Sequence, residues 1–438
     1  MQHRLQVTPN GRFLQYTNGA PFFYLGDTAW ELFHRLNLEE ATRYLANRAA
    51  KGFTVIQAVA LAELAGLDVP NANGDRPLID NDPTRPNEAY FRHVDAVTAK
   101  ANELGLVLGM LPTWGCYWKA TGFNAYPIFT PESARVYGHF LGERYRASNL
   151  IWILGGDRNV ADEGERAIID AMAQGLTDGD GGAHLKTYHP IGPGRSAEMF
   201  AEADWLDFHM CQTSHGAHDH DNGLLIEADY ALEAPKPTVD GEPRYETIPV
   251  GFYFQNQNRY DRFDAYDVRQ AAYWAMLAGA CGHTYGNNNV WQMWAPGRDP
   301  VLHADIPWYE ALDHPGAFQM GLLRRIFEAY DYQQLRPAAD FVVDGPRYGG
   351  AKIRAALAED GAFAFVYSPR GAAVTVARTQ FTAARVKEIW FDPRYGSLHH
   401  IHSSDTGAFQ TYTPPTSGRG NDWLLILDGR DGQIPTVI

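Results

Sequence analysis

Residues 150–159 read LIWILGGDRN. Five apolar residues in a row, closed by two glycines and followed at once by Asp157, Arg158 and Asn159, describe a buried strand that delivers polar groups at its C-terminal end. Seven more short apolar runs can be counted outward from it. FFYLG (22–26), FTVIQAVA (53–60) and LVLGMLP (106–112) come before; HLKTYH (184–189), WLDFHMC (205–211), PTVDG (237–241) and GHTYG (282–286) come after. Helical patterns separate them, as a parallel α/β fold requires. Asn37 and Glu40 form a capping box ahead of an apolar face of Ala41, Tyr44, Leu45 and Ala49, and Gly52 closes that helix. Thr130-Pro131 opens another, with proline at its first position. Further helices are expected over 87–104, 264–280 and 308–330, and a short one near 197–203. Eight strand–helix units predict a (β/α)8 barrel. A doubly wound open sheet fits less well, because no glycine-rich phosphate loop follows the first run.

The segment LQVTPNGRFLQY (5–16), a hairpin turning at Asn10-Gly11, precedes the barrel. Beyond Pro337 the pattern changes to short strands such as KIRAALA, AFAFVYS, AAVTVAR, KEIWFD and DWLLILD, separated by turns like Asp360-Gly361. That is the signature of an antiparallel β-sandwich. The expected division is therefore a catalytic barrel with its hairpin over 1–337 and an accessory sandwich over 338–438.

The 438 residues carry a net charge of −15, which argues against nucleic acid and anionic membranes as partners. Cys116, Cys211 and Cys281 are far apart and odd in number, so no disulfide framework is implied. No apolar stretch reaches the length of a membrane span, and no leader is visible at the N-terminus. A cytoplasmic location is the expectation; a secreted or periplasmic protein whose leader had been removed would read the same.

Barrel active sites form at the C-terminal ends of the strands. Those positions hold Asp27 and Trp30 after the first run, and Thr113, Trp114, Tyr117 and Trp118 after the third. Asp157, Arg158 and Asn159 follow the fourth; His189 ends the fifth; His209 and Gln212 belong to the sixth. The seventh supplies Glu242, Arg244 and Tyr245, and the eighth Tyr285, Asn287, Asn288, Asn289 and Trp291. Carboxylates and amides for hydroxyls, with flat aromatic faces for C–H edges, make this a carbohydrate rim. Hydrolysis of a glycosidic bond needs one protonated carboxyl and one ionised carboxylate across the bound sugar. Strands four and seven lie roughly opposite each other, so Asp157 and Glu242 are the candidate pair. The apolar run before Asp157 would raise its pKa provided Arg158 points away, and Arg244 or Tyr245 would hold Glu242 ionised. The competing reading of Asp157 is a simple cap on the next helix. Asp27, Trp114, Arg158, His189, His209, Tyr285, Asn287 and Trp291 are the candidate substrate-binding residues. Trp118 and Trp294 also fall in rim loops, whereas Trp152, Trp205, Trp274 and Trp423 read as core.

At LIWILGGDRN (150–159), KPTVDGEPRYE (236–246) and PFFYLGDTAWELFHRL (21–36), the chain resembles glycoside hydrolase family 140, the bacterial β-apiosidases. The resemblance spans nearly the whole chain, since the C-terminal segment is similar to the small β-domain, labelled collagen-binding, that accompanies this barrel. It implies retaining hydrolysis of terminal β-linked apiose from plant cell walls, such as pectic side chains, or from plant glycosides. It places Asp157 at the acid/base position and Glu242 at the nucleophile position. Related barrels usually carry Asn-Glu where Gly156-Asp157 stands here, one methylene longer. Nothing in residues 338–438 suggests collagen.

Two other readings compete. His209, His215, His218 and His220 tempt as a metal cluster, but a His-x-His pair at the first strand and a His-x3-His helix are both missing. The expectation is no metal and no cofactor, with His215, His218 and His220 on the loop surface. A non-catalytic carbohydrate-binding barrel would have lost one of the two carboxylates. A glycosidase of another pentofuranoside or pentoside is the remaining alternative.

Overall fold

The computed structural model describes residues 4–383, 385–401 and 408–430, so the last eight positions expected in the sandwich lie outside the described residues. Eight parallel strands form the barrel: β1 (Tyr24–Thr28), β2 (Val55–Val59), β3 (Val107–Leu111), β4 (Leu150–Gly155), β5 (Lys186–His189), β6 (His209–Gln212), β7 (Thr238–Asp240) and β8 (Gly282–Tyr285). They pair in the order β5-β4-β3-β2-β1-β8-β7-β6, and a two-residue strand, Gly194–Arg195, runs antiparallel along β6. The seam between β5 and β6 lacks a regular ladder. Asp207 N–H donates to Lys186 O at 2.9 Å, Lys186 N–H donates to the Asp207 carboxylate at 2.7 Å, and Thr187 Oγ1 donates to Phe208 O at 2.7 Å. One backbone bond and two side-chain bonds therefore close the barrel in place of a ladder.

Each strand is followed by a helix that packs on the barrel, with extra short turns after β1 and β8: α1 (Leu38–Ala50), α2 (Glu88–Glu103), α3 (Pro131–Tyr145), α4 (Glu163–Asp180), α5 (Ala197–Phe200), α6 (Gly223–Tyr230), α7 (Ala265–Leu277) and α8 (Pro315–Glu328). The Asn37/Glu40 capping box is formed, and Thr130 caps α3 with Pro131 at its first position. The expected 308–330 helix is broken in two, Trp308–Ala311 and α8, where Pro315 starts a new helix. The fifth helix is a single turn. Helices α3 and α4 approach closely along Gly138, Gly142, Gly175 and Gly179; a Cβ on Gly175 would stand 2.2 Å from Arg135 O.

The second domain is two antiparallel sheets, six strands from Leu335–Pro337 to Leu398–Ile401 and three from Val342–Asp344 to Phe409–Tyr412. Leu335–Pro337 pairs with Arg354–Ala358, so the second sheet begins two residues before the expected boundary at 337. The large sheet packs directly on α7 and α8. Tyr273 stacks on Tyr367 at 4.7 Å, Phe327 meets Phe365 at 5.2 Å, and Arg269 forms a buried ion pair with Asp422 at 2.6 Å.

Candidate active site

At the C-terminal end of β4 the chain makes a turn in which three successive residues have left-handed backbone: Gly155 (φ 93°), Gly156 (φ 89°) and Asp157 (φ 60°). The first two must be glycine. A Cβ on Gly155 would stand 2.5 Å from His189 O, and one on Gly156 2.9 Å from Gly115 N. Asp157 tolerates the left-handed region better than most side chains, at a cost of about 1 kcal/mol. Its backbone N–H donates to His189 Nδ1 at 3.2 Å. Asp162, not Asp157, caps α4, accepting from Glu165 N–H at 2.9 Å. The turn thus delivers Asp157 to the barrel mouth rather than to a helix end.

Glu242 follows β7. Gln57 on β2 reaches across the barrel interior and donates from Nε2 to Gly241 O at 2.9 Å, while Glu242 O accepts from Thr213 and Ser214 N–H. Glu242 Oε1 lies 3.2 Å from His215 Nε2, and Oε2 lies 3.0 Å from His189 Nε2. Because His189 Nδ1 accepts from Asp157 N–H, its proton belongs on Nε2, facing Glu242. One imidazole therefore touches both catalytic candidates.

The environments push the two carboxyls apart. Burial, and then the neighbouring Glu242 charge, raise Asp157 to about 7, against the pull of His189, Arg158 and Gln212. Arg158 is not turned away, as the sequence argument required, but its guanidinium is engaged elsewhere. Nη1 donates to Asp157 O at 2.6 Å and Nη2 to Phe123 O at 2.7 Å, so the Asp157 carboxylate receives only a long bond from Nη1 at 3.4 Å. For Glu242, burial acts upward but hydrogen bonds and charge from His189 and His215 outweigh it, holding the carboxyl at about 2. Of the two expected orienters, Arg244 is buried away from Glu242, donating to His218 O and Gln270 Oε1, whereas the Tyr245 hydroxyl faces the Glu242 carboxylate and its ring packs edge-on against His215 at 4.7 Å.

Both carboxyls open on one cavity of about 410 Å³, within the usual range for a small-molecule site. Trp30, Trp114 and Trp291 line it, with Arg158, His215 and Tyr245. Trp30 and Trp114 also pack against the His189 ring at 5.4 and 6.0 Å, fixing its plane. Ile248, Phe252, Val301 and Leu302 make one wall apolar, and Phe123 and Tyr253 stand at the mouth.

Five expected substrate contacts do not line this cavity: His189 is buried behind the two carboxyls, and the other four point elsewhere. Asp27 turns toward α1, accepting from Tyr44 Oη at 2.5 Å and Arg48 Nε at 2.6 Å. Tyr285 donates to Glu246 Oε2 at 2.6 Å, and Asn287 caps the short Asn288–Trp291 helix while its Nδ2 meets His314. His209 begins β6 instead of ending it, because the strand lies four residues later than the WLDFHMC run suggested, so the ring sits at the far end of the barrel. Trp118 donates to Gly155 O at 2.7 Å and Trp294 to Arg298 O at 3.1 Å; both brace loops instead of lining the cavity. In the other direction, His215, expected on the loop surface, is buried on Glu242. Gln57 lies inside a strand and Glu63 closes the LAE segment beyond the second run, so counting from strand ends reaches neither. Among the described residues no group of three or more His, Cys, Asp or Glu side chains could hold a metal ion, and no helix is long and apolar enough to cross a membrane.

Comparison with known proteins places this geometry. The family model for an "Apiosidase-like, catalytic domain" matches residues 8–334, and that for a "collagen-binding domain of a collagenase" matches residues 337–428. A solved structure titled only as a glycoside hydrolase is 30% identical, covers 99% of this chain and 98% of its own, and superposes with a TM-score of 0.90. A glycoside hydrolase family 5 structure from Bacteroides vulgatus is 29% identical, covers 99% and 97%, and also gives 0.90. No curated protein matches the chain. A barrel with a raised and a depressed carboxyl facing one cavity, matched over 8–334 by that model, belongs to the apiosidase-like catalytic-domain family and is a glycoside hydrolase.

Proposed function

We propose that this glycoside hydrolase is a retaining enzyme that releases terminal β-linked D-apiose from plant glycosides or pectic side chains. The observation that carries the acid–base division is that Asp157 and Glu242 open on one cavity, where burial raises the first and two imidazoles lower the second; the family description supports the sugar, and the resemblance to β-apiosidases supports retention. Near neutral pH Glu242 is an anion aimed by two imidazoles. Its oxygen attacks the anomeric carbon as Asp157 gives its proton to the departing glycosidic oxygen, forming a glycosyl ester on Glu242 and a free alcohol. Asp157, now ionised, takes a proton from water, which attacks the same carbon and releases Glu242. Trp30, Trp114 and Trp291 supply flat faces for the ring C–H edges.

A panel of aryl β-apiosides, β-xylosides and α-arabinofuranosides tests the reading. The apioside is expected to be cleaved fastest, with the first-formed sugar keeping the anomeric configuration of the substrate. A dominant xyloside or arabinofuranoside activity would replace apiose, and an inverted first product would replace the ester.

A further inference from the structure

The segment after β2 brings a third carboxyl into the cavity, and the two-carboxyl mechanism does not use it. Glu63 lines the cavity four residues beyond the end of β2. The backbone around it is fixed almost residue by residue. Ala60 O accepts from Tyr90 Oη at 2.7 Å, Leu61 O from Trp114 N–H at 3.1 Å, and Ala62 O from Tyr117 Oη at 2.8 Å. On the other side Leu64 N–H donates at 3.0 Å to the buried Glu31 carboxylate, itself held by His34 Nδ1 at 2.7 Å. Among the described residues, the Glu63 carboxyl has no hydrogen-bond partner. A carboxyl carried on fixed backbone and left unpaired toward ligand space is available as a recognition group.

We propose that Glu63 is a specificity-determining residue whose carboxyl hydrogen-bonds a hydroxyl of the sugar on which Asp157 and Glu242 act. The proposal rests on the glycosidase reading above. The groups facing Glu63 are Asp157 and Arg158 at the end of β4, Glu242 after β7, Glu31 after β1 and the Cys116 thiol after β3. Burial first, then the charges of Asp157, Glu31 and Glu242, push its carboxyl up to about 8, with Arg158 pulling against them. Up to neutral pH it is an uncharged acid that can both donate and accept. Above that it becomes a further negative charge beside the pair and loses its donor.

The test uses 4-nitrophenyl β-D-apioside with Glu63→Gln, which keeps a neutral donor and acceptor, and Glu63→Ala, which removes both. At pH 6, Glu63→Ala is expected to lose about tenfold or more in kcat/KM, mostly through KM, while Glu63→Gln stays within about threefold. The pH profile is the readout that a packing role would not move. Around pH 8 the wild-type log(kcat/KM) should pass through a stretch steeper than about −1, as Glu63 loses its donor on top of the lost Asp157 proton, whereas Glu63→Gln should fall at about −1 throughout. Should Glu63→Ala fail to fold, the Glu63→Gln slope decides alone. Equal slopes in wild type and Glu63→Gln, or an unchanged kcat/KM in Glu63→Ala, would overturn the role of Glu63 and leave the glycosidase reading standing. A wild type that cleaves no aryl pentoside would overturn both.

Discussion

Two carboxylate-bearing clusters sit at the ends of barrel strands, and only one of them faces ligand. At β4 and β7, Asp157 and Glu242 open on a cavity between three tryptophans. Asp27 on β1 and Glu246, in the segment after β7 and beside Tyr285 of β8, are sealed between barrel and helices, tied by Tyr44, Arg48, Tyr285 and Gly316 N–H. Burial raises Glu246 to about 7, as far as Asp157, with Tyr285 and Gly316 N–H pulling it back. A displaced pKa therefore does not separate the two clusters. What separates them is side-chain direction, since alternate residues of a barrel strand face inward and outward. Asp27 lies within β1 and takes the outward face, whereas Asp157 and Glu242 lie just beyond their strands, where turns re-aim them over the mouth.

The largest effect that would sharpen this contrast is expected for Glu242→Gln, because the amide cannot form the ester. Steady-state kcat/KM should fall by roughly 10⁴-fold or more with the melting temperature hardly changed. A loss under tenfold would make the two clusters equivalent.

Asp157→Asn comes next. Poorly activated leaving groups should lose roughly 10²–10⁴-fold, activated aryl glycosides much less, and added azide should speed the second step. The wild-type profile follows from the same residues. Activity needs Glu242 ionised, above about 2, and Asp157 protonated, below about 7, so kcat/KM should hold through mildly acidic pH and decline above 7. In folding terms the raised Asp157 binds its proton more tightly than the unfolded chain does, so stability falls as pH rises from about 4 through 7. Asp157→Asn should therefore melt higher than wild type at pH 8, by roughly 1–3 °C. A lower melting temperature would contradict the buried-acid account.

A smaller change is expected for His215→Ala. Removing one donor from Glu242 lets burial raise its pKa, so the acid limb moves to higher pH, and activity at pH 4 should drop more than at pH 6. An unshifted limb would show that His189 alone orients the carboxylate.

Tyr285→Phe should have the smallest effect on catalysis and a clear one on stability. It strips a donor from buried Glu246, costing about 1–3 kcal/mol, with kcat/KM within about threefold of wild type. A catalytic loss without a stability loss would move Tyr285 back toward the substrate.

The eight runs, the capping box, the Asn10-Gly11 hairpin and the change of pattern past Pro337 were legible because periodicity and turn chemistry are local. That Asp157 and Glu242 meet at one cavity was legible for a related reason: Gly155-Gly156 and Gly241-Glu242-Pro243 are visible breaks directly after apolar runs. Side-chain direction was not. Asp27 and Tyr285 follow apolar runs just as closely, and only the strand boundaries decide that they point outward. His209 was misplaced because an apolar run longer than its strand hides where pairing begins. His215 and Glu63 owe their places to loops held by distant elements, Tyr90 and Tyr117 for Glu63 and the β7 turn for His215, and no spacing in the chain records those contacts.

The central claim is that Glu242 carries the sugar while Asp157 serves first as acid and then as base. Asp157→Ala treated with an activated aryl β-D-apioside should form the ester at a useful rate and break it slowly. Acid quenching followed by peptide mapping by mass spectrometry should then find one pentosyl group, on the peptide containing Glu242 and on that residue. Phenol release with unmodified protein, or an adduct on Glu63 or any other residue, would contradict it.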